Sequence, residues 1–195
     1  PTVTGHTHML DLGANVGATP EQLFQFAVMG TEVVKAVDNI EQPKVGLLNI
    51  GEEEMKGNEI VKEAARILAS SKLNYQGFVE GDDIYKGVVD VVVCDGFVGN
   101  VALKTSEGVA TMIRHFINQE FTRNWWRRLS AMLAVAALKA FRARIDWRHY
   151  NGASFIGLQG IVIKSHGGAD ALAFANAIRV AKLEVKKAVS HNISQ

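Results

Sequence analysis

One pattern occurs four times along the chain: a short apolar run, a polar turn containing glycine, and a stretch with helical periodicity. The apolar runs are residues 9–12, 45–50, 88–93 and 161–164, and the turns are residues 13–17, 51–57, 94–100 and 165–170. Unbroken apolar runs such as residues 88–93 are typical of strands buried on both faces, which occur mainly in parallel sheets. The pattern therefore predicts an α/β fold with a mostly parallel sheet.

Local signals mark where the helices begin. Thr19 is a natural N-cap, Pro20 suits the first helical position, and Gln22 completes a capping box. A second helix is predicted from Asn58, and the C-terminal helix follows the turn that ends at Asp170. In parallel sheets, ligands bind at the carboxyl ends of the strands beside helix N-termini. The four turns are therefore predicted to lie at one edge and to form a site.

A different pattern covers residues 109–151, which contain neither glycine nor proline. Apolar positions at helical spacing occupy residues 109–117, and an apolar block at residues 131–138 is flanked by arginine, lysine and tryptophan. These features predict a projecting helical hairpin over residues 109–148. The sheet domain is then residues 1–108 together with 149–195.

Composition excludes several classes of protein. The 195 residues are 48% hydrophobic and 21% charged, which excludes intrinsic disorder. The single cysteine excludes a disulfide scaffold and favours a reducing compartment. No stretch approaches the roughly 20 apolar residues of a membrane span.

The net charge of +1 conceals an uneven distribution. Residues 121–148 contain seven basic residues, one acidic residue and all three tryptophans, and the rest of the chain has a net charge of −5. Three explanations apply: a dimerisation or core helix, a segment lying in a membrane interface, or a surface for single-stranded nucleic acid. Nucleic acid is the least favoured, because it would leave the apolar block exposed and the remaining surface is acidic.

Candidate chemistry lies in the turns. Those at residues 95–100 and 166–168 place backbone N–H groups at helix starts, where an anion such as phosphate is favoured; ordinary strand-to-helix turns are the alternative. Lys56 is either part of a solvated charge run or a cation available to phosphate or to an oxyanion. Asn100 is either an N-cap or a donor to a carbonyl oxygen that becomes negative in the transition state. Spacing does not decide between these alternatives.

Metal and nucleophile chemistry is not favoured. His6 and His8, with Asp11 nearby, lack further ligands at a familiar spacing, so we predict no metal. Cys94 follows an apolar run and is predicted to be a small buried residue rather than a nucleophile. The glycine motifs of dinucleotide-binding and P-loop proteins are absent from the sequence.

Several ordered motifs resemble one family. They are residues 10–15 (LDLGAN), 49–53 (NIGEE) with 56–57 (KG), 95–100 (DGFVGN), 103–108 (LKTSEG), and 150–153 (YNGA) followed by 165–167 (SHG). Nearly the whole chain resembles the bacterial phosphate acyltransferases of phospholipid synthesis (PlsX type). Because members of that family are longer and begin with another α/β segment, the chain is expected to be their C-terminal portion.

The resemblance implies a three-layer α/β/α fold, like that of phosphotransacetylases and isopropylmalate dehydrogenase, and an enzyme with neither metal nor cofactor. Such an enzyme transfers a long-chain acyl group from acyl carrier protein to inorganic phosphate. The acyl phosphate then feeds a downstream acyltransferase that acts on glycerol 3-phosphate. The resemblance also implies a cytoplasmic homodimer, peripherally associated with the inner membrane surface. The alternatives are a phosphotransacetylase-like enzyme using acyl-CoA, an NAD(P)-dependent relative, or a non-catalytic membrane scaffold for acyl carrier protein.

The resemblance also implies roles for particular residues. Lys56 and Asn100 are the expected catalytic residues. The expected substrate- and phosphate-binding residues are Asn15, Gly51, Glu52, Asp95, Gly96, Gly99, His166 and Gly167, with the backbone amides of the last three glycines facing the substrate. The expected membrane contacts are Trp125, Trp126, Leu133, Val135 and Leu138.

Overall fold

The computed structural model describes residues 1–193. The strands are β1 (His8–Leu10), β2 (Lys44–Leu48), β3 (Asn74–Val79), β4 (Val91–Val93), β5 (Ala153–Ser154) and β6 (Ile163–Lys164). The α-helices are α1 (Pro20–Asp38), α2 (Glu59–Ser70), α3 (Asp83–Lys86), α4 (Gly96–Thr122), α5 (Trp125–Leu133), α6 (Val135–Arg144), α7 (Ala171–Lys186) and α8 (Val189–Ile193). A short 3₁₀ helix covers Trp147–Tyr150.

The main sheet has four strands in the order β1-β4-β2-β3, and every neighbouring pair is parallel. Val91 of β4 lies beside His8 on one side and Val45 on the other. This arrangement confirms the prediction of an α/β fold with a mostly parallel sheet, flanked by helices.

Both faces of β4 are buried, as its unbroken apolar run predicts. Val91 and Val93 belong to the core that the sheet forms with α1 and α2. Val92 packs on the opposite face, where Ile84 of α3 lies against the same cluster. This alternation follows from the two-residue period of a strand. Burying each valine contributes about 1.5–3 kcal/mol to the stability of the fold. In the sheet, β4 lies between β1 and β2.

The predicted helix starts are confirmed. The hydroxyl of Thr19 accepts the N–H of Gln22 at 3.3 Å, and the Gln22 side chain accepts the N–H of Thr19 at 2.9 Å. The side chains of Asn58 and Asp170 each accept a backbone N–H three residues further on, both at 2.9 Å.

The fourth repeat is different. Strand β6 pairs antiparallel with β5 in a separate two-stranded sheet. The prediction that all four turns lie at one edge of the main sheet is therefore wrong for the turn after β6. The fourth strand of the main sheet is β3, which the sequence pattern did not indicate. Only its first three residues, Asn74, Tyr75 and Gln76, alternate between polar and apolar character, and the strand is an edge strand paired with β2.

The chain divides into two compact units. The first is Pro1–Asn100 together with the chain from Trp147 onwards, and the second is Val101–Asp146. The second unit is helical, and none of its residues is fully buried. Among residues 1–193, no helix is long and apolar enough to cross a membrane. The helical hairpin over residues 109–148, as a projecting element for dimerisation and membrane contact, stays a prediction.

Candidate functional site

Three turns meet at the carboxyl edge of the main sheet, and a cavity of about 260 Å³ lies between them. Gly17 and Ala18, which follow β1, form part of its wall. Leu48 at the end of β2, Asn58 at the start of α2 and Asp95 after β4 also line it. The cavity thus joins three segments that are far apart in sequence. Such an edge is where parallel α/β proteins bind ligands.

The buried carboxylate of Asp11 organises the turn after β1. Only 3% of Asp11 is exposed. Its Oδ1 accepts the N–H groups of Gly13 and Ala14, both at 2.9 Å. Its Oδ2 accepts the backbone N–H of Asn15 at 2.6 Å and the side-chain Nδ2 of Asn15 at 3.0 Å. Burial tends to raise the pKa of Asp11, but these hydrogen bonds outweigh it and hold the pKa below its ordinary value.

A second carboxylate, that of Asp95, lies at the start of α4. It accepts the N–H of Ala18 and the N–H of Phe97, both at 2.8 Å. Burial tends to raise the pKa of Asp95, but backbone hydrogen bonds lower it below its ordinary value. Negative charge is favoured at a helix N-terminus. At the start of α4, the Asp95 carboxylate accepts backbone N–H groups that a bound anion could otherwise accept.

Gly96 and Gly99 allow two segments to approach closely. A Cβ on Gly96 would collide with the carbonyl oxygen of Asn15, and one on Gly99 would collide with that of Asp11. The N–H of Gly96 donates to the Asn15 carbonyl, and the N–H of Gly99 donates to the Asp95 carbonyl, both at 2.9 Å. The expectation that these two amides face a bound anion is therefore not met in this structure, because both donate within the protein.

Asn100 is not a helix N-cap, since α4 begins four residues before it. Its side-chain Nδ2 donates to the carbonyl oxygen of Leu12 at 3.1 Å. Gly13, with φ +121°, lies against the same side chain. Asn100 therefore stands directly against the turn after β1.

The turn after β2 holds Lys56 in an ion pair. Asn49, nearly buried, donates its Nδ2 to the carbonyl oxygens of Gly51 and Lys56 at 3.1 and 3.2 Å, which closes the turn. The Lys56 Nζ lies 2.8 Å from Glu53 Oε2, and both side chains are exposed. The hydrogen bond from Glu53 raises the pKa of Lys56 above its ordinary value, so the amine stays protonated. Glu52 is exposed in the same turn.

His166 and Gly167 lie in the turn between β6 and α7. The N–H of His166 donates to Asn151 Oδ1 at 2.9 Å, and Asn151 also donates to Ser165 Oγ at 2.9 Å. The His166 ring lies 5.0 Å from the ring of Trp147. These contacts connect the turn to the second sheet rather than to the three turns around the cavity.

Cys94 is a buried residue, as predicted. Only 3% of it is exposed, and its Sγ donates to the carbonyl oxygen of Asp11 at 3.3 Å. Burial raises the pKa of the thiol to about 12. At neutral pH the sulfur is therefore protonated and is a poor nucleophile.

The organising roles of Asp11 and Asn49 were not predicted. Both stand directly after a strand of the sheet and two residues before a glycine, and Asp95 stands one residue before a glycine. A carboxylate at this place accepts hydrogen bonds from the turn that follows, and an amide at this place donates hydrogen bonds to that turn. The recurrence of this arrangement after three strands was the available signal.

The predicted membrane contacts lie in the second unit. Trp125 and Trp126 are exposed, and their rings stack with centroids 3.6 Å apart. Leu133 is 84% exposed and Val135 is also exposed. Leu138 is half-buried.

The fold and the cavity define a parallel α/β protein with a cavity at the carboxyl edge of its sheet, the edge at which such proteins bind ligands. Residues 1–192 match the family model described as "Fatty acid synthesis protein". The chain belongs to this family. It is 63% identical over 195 residues to a phosphate acyltransferase of Methylococcus capsulatus and 60% identical over 194 residues to one of Nitrosococcus oceani. These alignments cover 100% of this chain but only 58% and 57% of the two relatives.

Proposed function

We propose that this chain contributes the site at which an acyl group passes from acyl carrier protein to inorganic phosphate, forming acyl phosphate. The observation that carries the proposal is the cavity between three turns, found in a chain about 60% identical to phosphate acyltransferases. Leu23, Leu48 and Val61 give the cavity an apolar wall suited to an acyl chain. Its volume of about 260 Å³ is below the roughly 300–1,000 Å³ of complete ligand pockets. In this proposal the cavity therefore takes only the part of the acyl group next to the thioester.

The reaction needs a bound anion and a stabilised oxyanion. A phosphate oxygen attacks the thioester carbonyl carbon, the carbonyl oxygen becomes negative, and the carbon–sulfur bond then breaks. The pair of electrons leaves with the sulfur as the carrier thiolate, which takes a proton from water. The acyl–oxygen bond to phosphate remains.

Lys56 is the proposed partner of the phosphate. It stays protonated, follows β2 at the carboxyl edge and forms an exposed ion pair with Glu53, while the charge of Glu80 acts on it more weakly. Exposed ion pairs contribute little stability, about 0–1 kcal/mol. A dianion can therefore displace Glu53 at small cost. Gly51 leaves room for this movement, because a Cβ there would collide with the Lys56 side chain.

Asn100 is the proposed donor to the oxyanion. Its amide has two N–H bonds, and among the residues described by the structure one donates to Leu12. The second is available to a carbonyl oxygen. In this proposal Asn15 and Asp95 act through the shape of the turns, since their side chains are engaged with Asp11 and with backbone N–H groups. Direct contacts of Glu52, His166 and Gly167 with the substrate stay predictions.

Phosphate-dependent release of free thiol from long-chain acyl carrier protein tests the proposal. Lys56→Ala and Asn100→Ala should each lower turnover about 100- to 1,000-fold, the usual effect of losing one oxyanion donor. Lys62→Ala is a matched control for the first, because the half-buried Lys62 pairs with Glu59 at the same spacing of three residues. Asn118→Ala is the control for the second.

Three outcomes of this assay decide between the alternatives. Release that requires phosphate and falls only in the two site variants supports the proposal. If thiol is released only by a protein extended to the full length of the relatives, this chain contributes only part of the site. Binding of acyl carrier protein without release from either form would favour a scaffold instead.

We also propose that the second unit contacts the membrane surface. The exposed Trp125, Trp126 and Leu133 lie among basic residues, which is the composition of segments in the interface of anionic bilayers. Trp125→Ala combined with Leu133→Glu should abolish sedimentation with anionic liposomes. Val185→Glu, which changes an exposed valine of α7, should leave it intact. Equal sedimentation of both variants would contradict this role.

The apolar stripe of α4 supports a homodimer. Met112, Ile113 and Phe116 are all exposed in the single chain. An exposed contiguous apolar surface commonly marks a protein interface. Phe116→Glu should therefore reduce the mass measured by light scattering from that of a dimer to that of a monomer. A monomeric wild type, or a dimeric variant, would contradict the proposal.

A further inference from the structure

Two histidines and an aspartate form a cluster that the proposed function does not use. His6 Nε2 lies 3.0 Å from Asp38 Oδ1, and His8 Nε2 lies 2.8 Å from Asp38 Oδ2. The three ligand atoms lie within 4.8 Å of one another. We propose that His6, His8 and Asp38 bind one divalent transition-metal ion of the zinc class, with water as the fourth ligand.

The chemistry of the three side chains fits such an ion. Imidazole nitrogen and carboxylate oxygen are both zinc ligands, with bonds of about 2.0–2.2 Å, and open zinc sites have three protein ligands plus water. In a tetrahedral site with bonds of that length the ligand atoms are about 3.3 Å apart. His6 lies within about half an ångström of this separation from Oδ1 of Asp38, and His8 lies within the same margin from Oδ2, so each imidazole is near the required distance from one carboxylate oxygen.

The local structure explains why the three groups meet. His6 and His8 are two residues apart in an extended segment entering β1, so their side chains point to the same side. Asp38 is the last residue of α1, where the helix carbonyls favour a cation. The His6 side chain is 44% exposed, which leaves a path for the ion and for water. Lys187 donates to Oδ1 of Asn39, the residue that follows Asp38, at 2.8 Å.

The position of the cluster separates this inference from the proposed acyl transfer. His8 begins β1, whereas the cavity lies beyond the other end of that strand. Three residues of strand separate His8 from Asp11, a distance of about 10 Å. The ion would tie the start of β1 to the end of α1 and stabilise the first unit. We expected no metal because the sequence offered only Asp11 near His6 and His8, with no further ligand at a familiar spacing. In the folded chain the carboxylate beside the two histidines is that of Asp38.

Titration of the full chain, free of any polyhistidine tag, with Co²⁺ and then Zn²⁺ tests the inference. We expect one equivalent of Co²⁺ with the visible absorption of a four-coordinate ion, and its displacement by Zn²⁺. Zn²⁺ should also raise the midpoint of thermal unfolding, since it binds the folded state. Asp38→Asn and His6→Gln should each weaken Zn²⁺ binding at least about 100-fold, more than the loss of an outer-shell partner.

His115→Gln is the matched control, because His115 is an exposed histidine on α4. It should bind like the wild type. His6→Gln changes an exposed side chain and keeps the test valid if another variant fails to fold. The absence of saturable binding would overturn the inference. So would binding that persists in both Asp38→Asn and His6→Gln, or binding that is lost in His115→Gln.

Discussion

Replacing Asp11 by asparagine tests whether a buried carboxylate holds the turn after β1 in place. The substitution keeps the size of the side chain and removes its charge. Asparagine retains one acceptor oxygen and places an NH₂ group where the second oxygen was. Two of the four hydrogen bonds are lost, and the donors left behind face another donor.

The size of the effect follows from those contacts. A hydrogen bond to a charged group contributes about 1.5–3 kcal/mol, so losing two predicts a decrease of about 3–6 kcal/mol in the free energy of unfolding. Because domains of this kind are stable by about 5–15 kcal/mol, the variant should fold but unfold at much lower denaturant. Asp11 is 3% exposed, so water cannot readily replace the lost partners.

Equilibrium unfolding in urea, followed by circular dichroism, measures this difference. Asp82→Asn is the matched control, since the exposed side chain of Asp82 forms a surface ion pair with Lys86. The control should change stability by less than about 0.5 kcal/mol. If Asp11→Asn is no more destabilising than the control, the carboxylate does not hold the turn as inferred.

The same pair of proteins has an expected pH dependence. The pKa of Asp11 is lower in the folded protein than the ordinary value of about 3.9 that applies to the unfolded chain. The carboxylate therefore contributes its stability above about pH 4, and this contribution is lost as the pH falls through the folded-state pKa. The gap between wild type and Asp11→Asn should be constant near neutral pH and close progressively in acid.

Three further predictions concern other buried positions. Gly99→Ala should destabilise the protein by about 1–3 kcal/mol through overpacking, whereas Gly108→Ala in the same helix, with open space at its Cβ, should stabilise it by up to about 1 kcal/mol in thermal unfolding. The Cys94 thiol, with its pKa raised to about 12 by burial, should resist iodoacetamide at pH 8 in the native protein and react in urea. Burial raises the pKa of Glu184 in the folded state, so wild-type stability should fall as the pH rises from about 4 through the folded-state pKa, and Glu184→Gln should reduce that fall. Rapid native alkylation, equal effects of the two alanines, or an unchanged pH profile would each contradict the corresponding inference.

Much of the fold was predictable from short stretches of sequence. The capping box of Thr19 and Gln22 and the cap at Asn58 were identified correctly, because a cap depends on residues three positions apart. The burial of β4 was predicted because an unbroken apolar run suits a strand covered on both faces. The parallel α/β class follows from the repetition of these local patterns.

The position of three turns was predictable, but the contacts within the candidate site were not. The turns after β1, β2 and β4 were expected at one edge; residues after β1 and β4 and the two ends of the turn after β2 line one cavity there, whereas Lys56 and Asn100 are not among its lining residues. The hydrogen bonds within them were not foreseen, because they depend on the approach of distant segments. The amide of Gly96 meets the Asn15 carbonyl only once α4 and the turn after β1 are packed together. Sequence spacing contains no information on that approach.

Tertiary structure alone decided the remaining features. The apolar run that ends in β6 looks like the other strands, yet it pairs with β5, because strand pairing is chosen by partners elsewhere in the chain. Asp38 comes beside His8 across thirty residues only because α1 returns along the sheet to the start of β1. Helix caps and hydrophobic periodicity depend on residues a few positions apart, so they can be predicted from the sequence. Pairing and the meeting of side chains are non-local, and they arise only when the whole chain has buried its apolar surface.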